Sequence, residues 1–392
     1  MNNCLQMVNR FRKDKPVLSA LVFSLAMAGM AQAATPATAA KMLEVQPWGS
    51  TADGVKVDRV TVQNKNGMRL TYTDYGASLV AVEVPDRNGK LANVIISLPD
   101  LPTYLKSKRR FGSVGRYVGR IGGNRYTLDG KEVDLNPPKD AAPAVGYERR
   151  IWKRSDFQDA NSAGSVFTME SPAGDQQFPG ALTVKVTYRL LRNSNEFQIE
   201  YNASTDAPTV LNLTNHSYYN LAGAGTPGLS THRFQINADR YVELKDKLPT
   251  GKLPSVAGTP LDFRKATDIN ERLAKPSELL GDPPGFDHGL VFSKPLGKFD
   301  KVAVIEDTAS GRRMEVRTTE PSVQLFNGSS FDGSEKGPEG RAWVAGDGFA
   351  FETEHLSDSP NHPNFPSTAL YPGKPFKALT TFRFSVDKSA KK

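Results

Sequence analysis

Apolar and polar residues alternate with a period of two along much of this chain. Leu182, Val184, Val186, Tyr188 and Leu190 interleave with Thr183, Lys185, Thr187 and Arg189. The pattern resumes after Asn193-Ser194-Asn195 at Phe197, Ile199 and Tyr201, and returns at Met314 and Val316 and at Phe382, Phe384 and Val386. Successive side chains of a strand point to opposite faces, so each run predicts a strand with one buried face. Turn formers separate the runs, as at Pro85-Asp86-Arg87-Asn88-Gly89, Asp129-Gly130 and Ser310-Gly311. Helical periodicity is scarce; Lys265 to Leu280 predicts one or two short helices. Short strands and turns over this length predict an all-β protein, a large antiparallel β-sandwich with few short helices. No internal repeat or compositional break follows Lys41, so residues 42–388 read as one domain with a short basic tail beyond.

The first forty residues follow a different pattern. Arg10, Arg12, Lys13 and Lys15 precede an apolar stretch from Val17 to Met30, and Ala31-Gln32-Ala33 has the small-x-small form of a signal-peptidase site. The apolar run is short of the roughly 20 residues that a spanning helix needs. Residues 1–33 therefore read as a signal peptide cut before Ala34, and 34–41 as a flexible tether, which predicts a periplasmic or secreted protein. The only cysteine, Cys4, lies in the leader, so a cleaved chain would have no disulfide, thiolate metal site or cysteine nucleophile. The formal charge of +8 falls to about +5 once the leader's four cations and one acid are removed.

Charge and motifs narrow the chemistry further. Lys106, Lys108, Arg109, Arg110, Arg116, Arg120 and Arg125 crowd one region, but without the interleaved aromatics of a single-strand binder. A nucleic-acid partner is not expected. Gly119-Arg120-Ile121-Gly122-Gly123 lacks the βαβ surroundings of a dinucleotide site, and Asp86-Arg87-Asn88-Gly89 reads as a hairpin turn rather than a calcium loop. None of the five histidines pairs with another at helical metal spacing; only His355 and His362 stand close enough in sequence to share an ion, and neither a metal nor a cofactor is expected. What stands out is polar material set among apolar strands. Asn212-Leu213-Thr214-Asn215-His216-Ser217-Tyr218-Tyr219-Asn220 is one such cluster, and Phe351-Glu352-Thr353-Glu354-His355 is another. Amides, carboxylates and arginines suit sugar hydroxyls, and aromatic faces suit sugar rings.

At these clusters the chain resembles the aldose 1-epimerase (galactose mutarotase) family, over nearly the whole length beyond the leader. The segments that carry the likeness fall in the family's order. They include Asp74-Tyr75-Gly76-Ala77, Gly115-Arg116-Tyr117-Val118-Gly119-Arg120-Ile121, and residues 212–223. Pro249-Thr250-Gly251, Gly285-Phe286-Asp287-His288, Pro321-Ser322-Val323-Gln324-Leu325-Phe326 and Glu352-Thr353 follow. The resemblance implies interconversion of the α and β anomers of a free aldose by ring opening and closing. That reaction needs a proton delivered to the ring oxygen and one removed from the C1 hydroxyl, general acid and general base work without a cofactor. By resemblance His216 is the acid and Glu352 the base, and Arg120, Asp287 and Gln324 hold the sugar. Intrinsic pKa values of about 6.5 and about 4.3 predict a charged histidine facing a carboxylate.

The chain also departs from the family. A second active-site histidine, usual in a Leu-His-Gly-Gly stretch, is missing, because no histidine precedes His216; counting back from Trp152 puts Ala141 in its place. Gly119 stands where many members have asparagine, and Glu354 where they often have glutamine. The altered loop, residues 140–144, predicts a cleft that is wider on that side unless a residue such as Lys139 or Tyr147 fills it. Two other functions fit these changes: a relative acting on a modified or oligomeric sugar, and a non-catalytic sugar-binding module. Binding alone would not need His216 and Glu352 together.

Overall fold

The structure is a computed structural model that describes residues 41–139, 141 and 143–388; the leader and all but the last residue of the tether lie outside the described residues. A nine-stranded sheet forms its largest layer. Its order runs Lys153–Gln158, Ser162–Ser171, Leu182–Leu191, Glu196–Thr205, Phe376–Val386, Arg312–Thr318, Asp300–Asp307, His232–Ile236 and Thr267–Asp268. A six-stranded sheet orders Ala238–Tyr241, Asp287–Phe292, Ser322–Phe326, Phe349–Glu354, Tyr218–Tyr219 and Ile95–Ile96. A five-stranded meander runs from Leu43–Ser50 to Leu91–Asn93. Neighbours in all three sheets pair antiparallel.

The alternation sets these layers. In Leu182–Leu191 the apolar positions are buried and the intervening ones are not; Glu196–Thr205 repeats this out to Ala203. Their inward side chains join one core with Val60 and Tyr72 of the meander and Val323, Phe349 and Phe351 of the six-stranded sheet. Stacked rings bridge the layers: Phe197 on Phe382 at 4.9 Å, Phe382 on Tyr219 at 5.6 Å. Burying each such ring contributes about 1.5–3 kcal/mol. Val386 is only half-buried, where the last strand runs out of the layer.

Helix is as sparse as the sequence predicts. Within Lys265 to Leu280 lie Ile269–Leu273, capped by Asp268, and a single 3-10 turn, Glu278–Leu280. One helix was not anticipated. Leu101–Lys106 is too short to show a period; its signal is local, Asp100 accepting the Thr103 N–H at 2.9 Å with proline in the first turn. The Asp86 turn is a hairpin tip, its carboxylate accepting the N–H groups of Asn88 and Lys90 at 2.8 and 2.9 Å. The described residues belong to one compact unit, and among them no helix is long and apolar enough to cross a membrane.

Candidate active site

Strand register assembles the site. Phe349–Glu354 is buried along its whole length. Phe349 and Phe351 enter the main core, whereas Ala350, Glu352 and Glu354 share the opposite face. Gln324 is the register partner of Glu352 on one side and of Gly289 on its own other side. Across the other edge Tyr218 pairs with Ala350, and the same register carried two residues on sets His216 opposite Glu352. A hydrogen bond from the His216 N–H to the Gly112 carbonyl (2.7 Å) fixes the backbone there. Gly289, Gln324, Glu352 and His216 thus form one row across three strands and the link between Thr214–Asn215 and Tyr218–Tyr219.

The row lines a cavity of about 220 Å³. Within it His216 Nε2 lies 3.4 Å from Glu352 Oε1; the Glu352 side chain is buried and that of His216 is 14% exposed. Gln324 Nε2 donates to Asp287 Oδ1 at 2.7 Å, which orients the amide and holds the carboxylate at the rim. Arg120 reaches the same cavity, its backbone N–H bonded to Ser357 Oγ at 2.8 Å. All five residues read from the sequence are therefore brought together.

The protonation pattern differs from the sequence expectation. Burial, and secondarily Arg110, pulls His216 down to about 4. Burial, reinforced by Asp287 and opposed by Arg110, pushes Glu352 up to about 8. Unperturbed pKa values predict an imidazolium facing a carboxylate; burial disfavours both charges and so favours the neutral pair, with the proton on Glu352. Glu354 is raised as well, by burial and then by Glu352 and Glu320. A rise of this kind favours the protonated carboxyl, which can donate as well as accept, as an amide can.

Two other departures change meaning in three dimensions. Gly119 has φ +87°, and a side chain there would meet Ser357 Oγ at 2.7 Å, so this backbone itself calls for glycine. The second concerns the missing histidine. Of residues 140–144, the described ones are exposed and line no part of the cavity; Lys139 is exposed too, and Tyr147 is buried against Trp152. Arg110 also lines the cavity, 3.9 Å from Glu148 of the segment that follows the loop. The sequence reading missed it because Arg110 stood in a run of cations. The fold scatters that run: Arg116 is fully buried on the carbonyls of Phe178, Pro179 and Gly180, and Arg125 pairs with Asp134 at the surface. Tyr218, whose ring lies 4.9 Å from that of His216, was likewise not singled out. Only the pairing of Ser113–Val114 with Thr214–Asn215, which brings Arg110 beside His216, marks it.

No group of three or more histidine, aspartate, glutamate or cysteine side chains among the described residues is placed to hold a metal. His355 and His362 are occupied separately, by Glu320 at 2.8 Å and Asp358 at 3.2 Å.

The family model described as aldose 1-epimerase matches residues 58–383. The chain belongs to the aldose 1-epimerase family. It is 36% identical to a galactose mutarotase from Bos taurus over 327 residues, 81% of this chain and 92% of that one. An aldose 1-epimerase from Escherichia coli K12 is 35% identical over 352 residues, 86% of this chain and 97% of that one. Among solved structures, an aldose epimerase homologue from C. elegans superposes with a TM-score of 0.73 at 27% identity, covering 83% of this chain and 98% of its own. A galactose 1-epimerase from Lactobacillus acidophilus, at 24% identity and a TM-score of 0.76, shares the fold. The protein is thus an isomerase of the mutarotase type, on the antiparallel β-architecture of the aldose 1-epimerase family.

Proposed function

We infer that this epimerase interconverts the anomers of a free aldose, with His216 and Glu352 as its proton-transfer pair. The observation that carries the assignment is their 3.4 Å approach inside a cavity rimmed by Arg120, Asp287 and Gln324. Glu352 takes the proton of the C1 hydroxyl and His216 gives one to the ring oxygen. The bond from C1 to the ring oxygen breaks as the C1 carbonyl forms. After rotation about C1–C2 the steps reverse on the other carbonyl face, and both protons return. Burial alone leaves the shared proton on Glu352, so the sugar must help to move it. Hydroxyls donating to the carboxylate favour its charged form, and the proton passes to His216 as substrate seats. Arg120, Asp287, Gln324 and protonated Glu354 hold the hydroxyls that do not react.

Polarimetry of freshly dissolved α-galactose, α-glucose and other α-aldoses tests this reading. Relaxation well above the buffer rate is expected; none for any aldose would refute it. We also propose that the chain is exported and matures near Ala34, on the leader pattern of residues 1–33, leaving residues 42–388 as a single catalytic domain. Intact mass from the native host checks this, and a full-length chain in the membrane fraction would overturn it.

A further inference from the structure

His216 is not the only histidine at the cavity. His288, whose strand also borders it, spends both ring nitrogens on backbone: Nδ1 accepts the Asp287 N–H at 3.1 Å, and Nε2 lies 2.8 Å from the Leu279 carbonyl. His355 is bound on one side only. Its Nδ1 lies 2.8 Å from Oε2 of the buried Glu320, and its Nε2 has no hydrogen-bond partner among the described residues. His355 lines the inner cavity beside Glu354, whose Oε2 is buried and likewise unpartnered.

His355 is held firmly in place. The Asn212 side chain, sealed from solvent, clamps its backbone twice: Oδ1 accepts the His355 N–H and Nδ2 donates to the His355 carbonyl, each at 3.0 Å. The acid behind the ring fixes its orientation. With Nδ1–H donating to Glu320, the neutral imidazole has Nε2 as its one acceptor. A purely structural histidine needs only the bond to Glu320. An oriented acceptor left without a partner at a polar cavity is matched by a ligand donor, such as a sugar hydroxyl. Glu352, which faces the reacting carbon, stands three residues before His355, about 10 Å along an extended chain. That separation puts His355 toward the part of a bound sugar remote from C1.

We propose that His355, oriented by Glu320, is a specificity-determining residue: its Nε2 accepts a hydrogen bond from a sugar hydroxyl remote from C1, at C4 or at C6. A histidine contact then reaches the sugar from the end of the strand Phe349–Glu354, whereas the described residues of the 140–144 loop line no part of the cavity. Glu320 does not border the cavity and is a positioning residue. This rests on the anomer-interconverting reading above and names the part of the sugar that the site reads.

The test is a cycle between side chain and hydroxyl. It measures kcat/KM for α-galactose, α-glucose and their 4-deoxy and 6-deoxy forms, with wild type, His355→Asn and His355→Gln. Asparagine keeps a donor near the place of Nδ1 and puts nothing at Nε2; glutamine puts its amide near Nε2. His355→Asn should lower kcat/KM about tenfold for at least one parent sugar, in KM rather than kcat, as the loss of one hydrogen bond to a bound ligand does. For one of the deoxy forms of that sugar the same substitution should change kcat/KM by less than about twofold, because the hydroxyl that His355 binds is already gone. The form that escapes names the hydroxyl. His355→Gln should recover part of the loss, and Glu320→Gln should give the same pattern among sugars in milder form. Ratios between sugars carry the result, so a loss of folded protein cannot imitate it; if His355→Asn does not fold, Glu320→Gln carries the cycle. Losses equal across the parents and their deoxy forms, or no loss on either parent, overturn the assignment. If no aldose is turned over, the anomer-interconverting reading falls separately. Saturation-transfer NMR with the same sugars then decides the contact: binding of a parent that His355→Asn weakens, with one deoxy form unaffected, retains it, and absence of binding ends it.

Discussion

His216 and His232 look alike by most local measures. His232 is fully buried and His216 mostly so, both leave Nδ1 without a partner, and burial pulls both down to about 4. The difference is at Nε2. In His232 that nitrogen accepts the Leu221 N–H at 2.9 Å, beside the ring of Phe349. The ring answers a backbone donor that would otherwise be orphaned in the core. In His216 the same nitrogen faces Glu352, a group that can trade a proton with it, across a cavity wall. A displaced pKa therefore does not identify a functional histidine. The partner and the open space do.

Removing each ring should separate the two roles, and the largest effects are expected at the active pair. His216→Asn or Glu352→Gln should lower mutarotation by roughly 10²–10⁴-fold. Urea unfolding should show a midpoint unchanged or raised, because each amide replaces a group whose charge the site disfavours. Near-normal turnover by either variant would remove the pair from the mechanism. His232→Leu should do the reverse. It strands the Leu221 N–H, which costs on the order of 1–3 kcal/mol of stability, while activity per folded molecule stays within about twofold. A loss of turnover with stability kept would dissolve the comparison.

How far the sequence alone carries this contrast follows from the physics of each element. The strands were legible because period-two burial is written residue by residue, as in Leu182–Leu191. His216 and Glu352 were legible through motif order, and local composition would not have chosen His216 over His232. Arg110 was not legible: its neighbours in sequence are cations too, and its neighbours in space come from a pairing about a hundred residues away in the chain. The state of the acid–base pair was misread for a related reason. Intrinsic pKa values describe solvated groups, and nothing local to His216 or Glu352 shows that each will be buried beside the other. Gly119, which stands where many family members have asparagine, sits at a positive φ against Ser357, a constraint that only the folded backbone reveals.

Dependence on pH sharpens the contrast. One proton on the pair is the working state. Below about 4 His216 gains a proton while Glu352 keeps its own, and no base remains. Above about 8 Glu352 loses its proton while His216 is already neutral, and no acid remains. The profile of kcat/KM should be a bell with limbs near those values, which belong to the pair rather than to either residue. A profile flat from acid to alkaline pH would contradict a shared proton. Stability should follow a different course. The lowered values of His216 and His232 contribute stability above their ordinary 6.5 that is lost as pH falls toward 4, so His232→Leu should flatten the acid side of the unfolding curve without moving the kinetic limbs.

The smallest expected effect belongs to Arg110, and its direction is what matters. The guanidinium disfavours a proton on either member of the pair, lowering Glu352 and lowering His216. Arg110→Gln removes that influence from both, so both limbs of the bell should move to higher pH together. Arg110→Lys keeps the charge and should hold the limbs near their wild-type positions. The side chain is 54% exposed and screened by water, so turnover of a neutral aldose at the optimum should fall by no more than about fivefold, the range of an exposed ion worth about 1 kcal/mol or less. His232 lies in the core and not beside this arginine, so the stability it confers should keep its pH dependence in the same variant. Limbs that stay put in Arg110→Gln, or that move in opposite directions, would show that Arg110 does not act on the pair and would leave burial, with Asp287 at Glu352, as the cause of its inverted protonation.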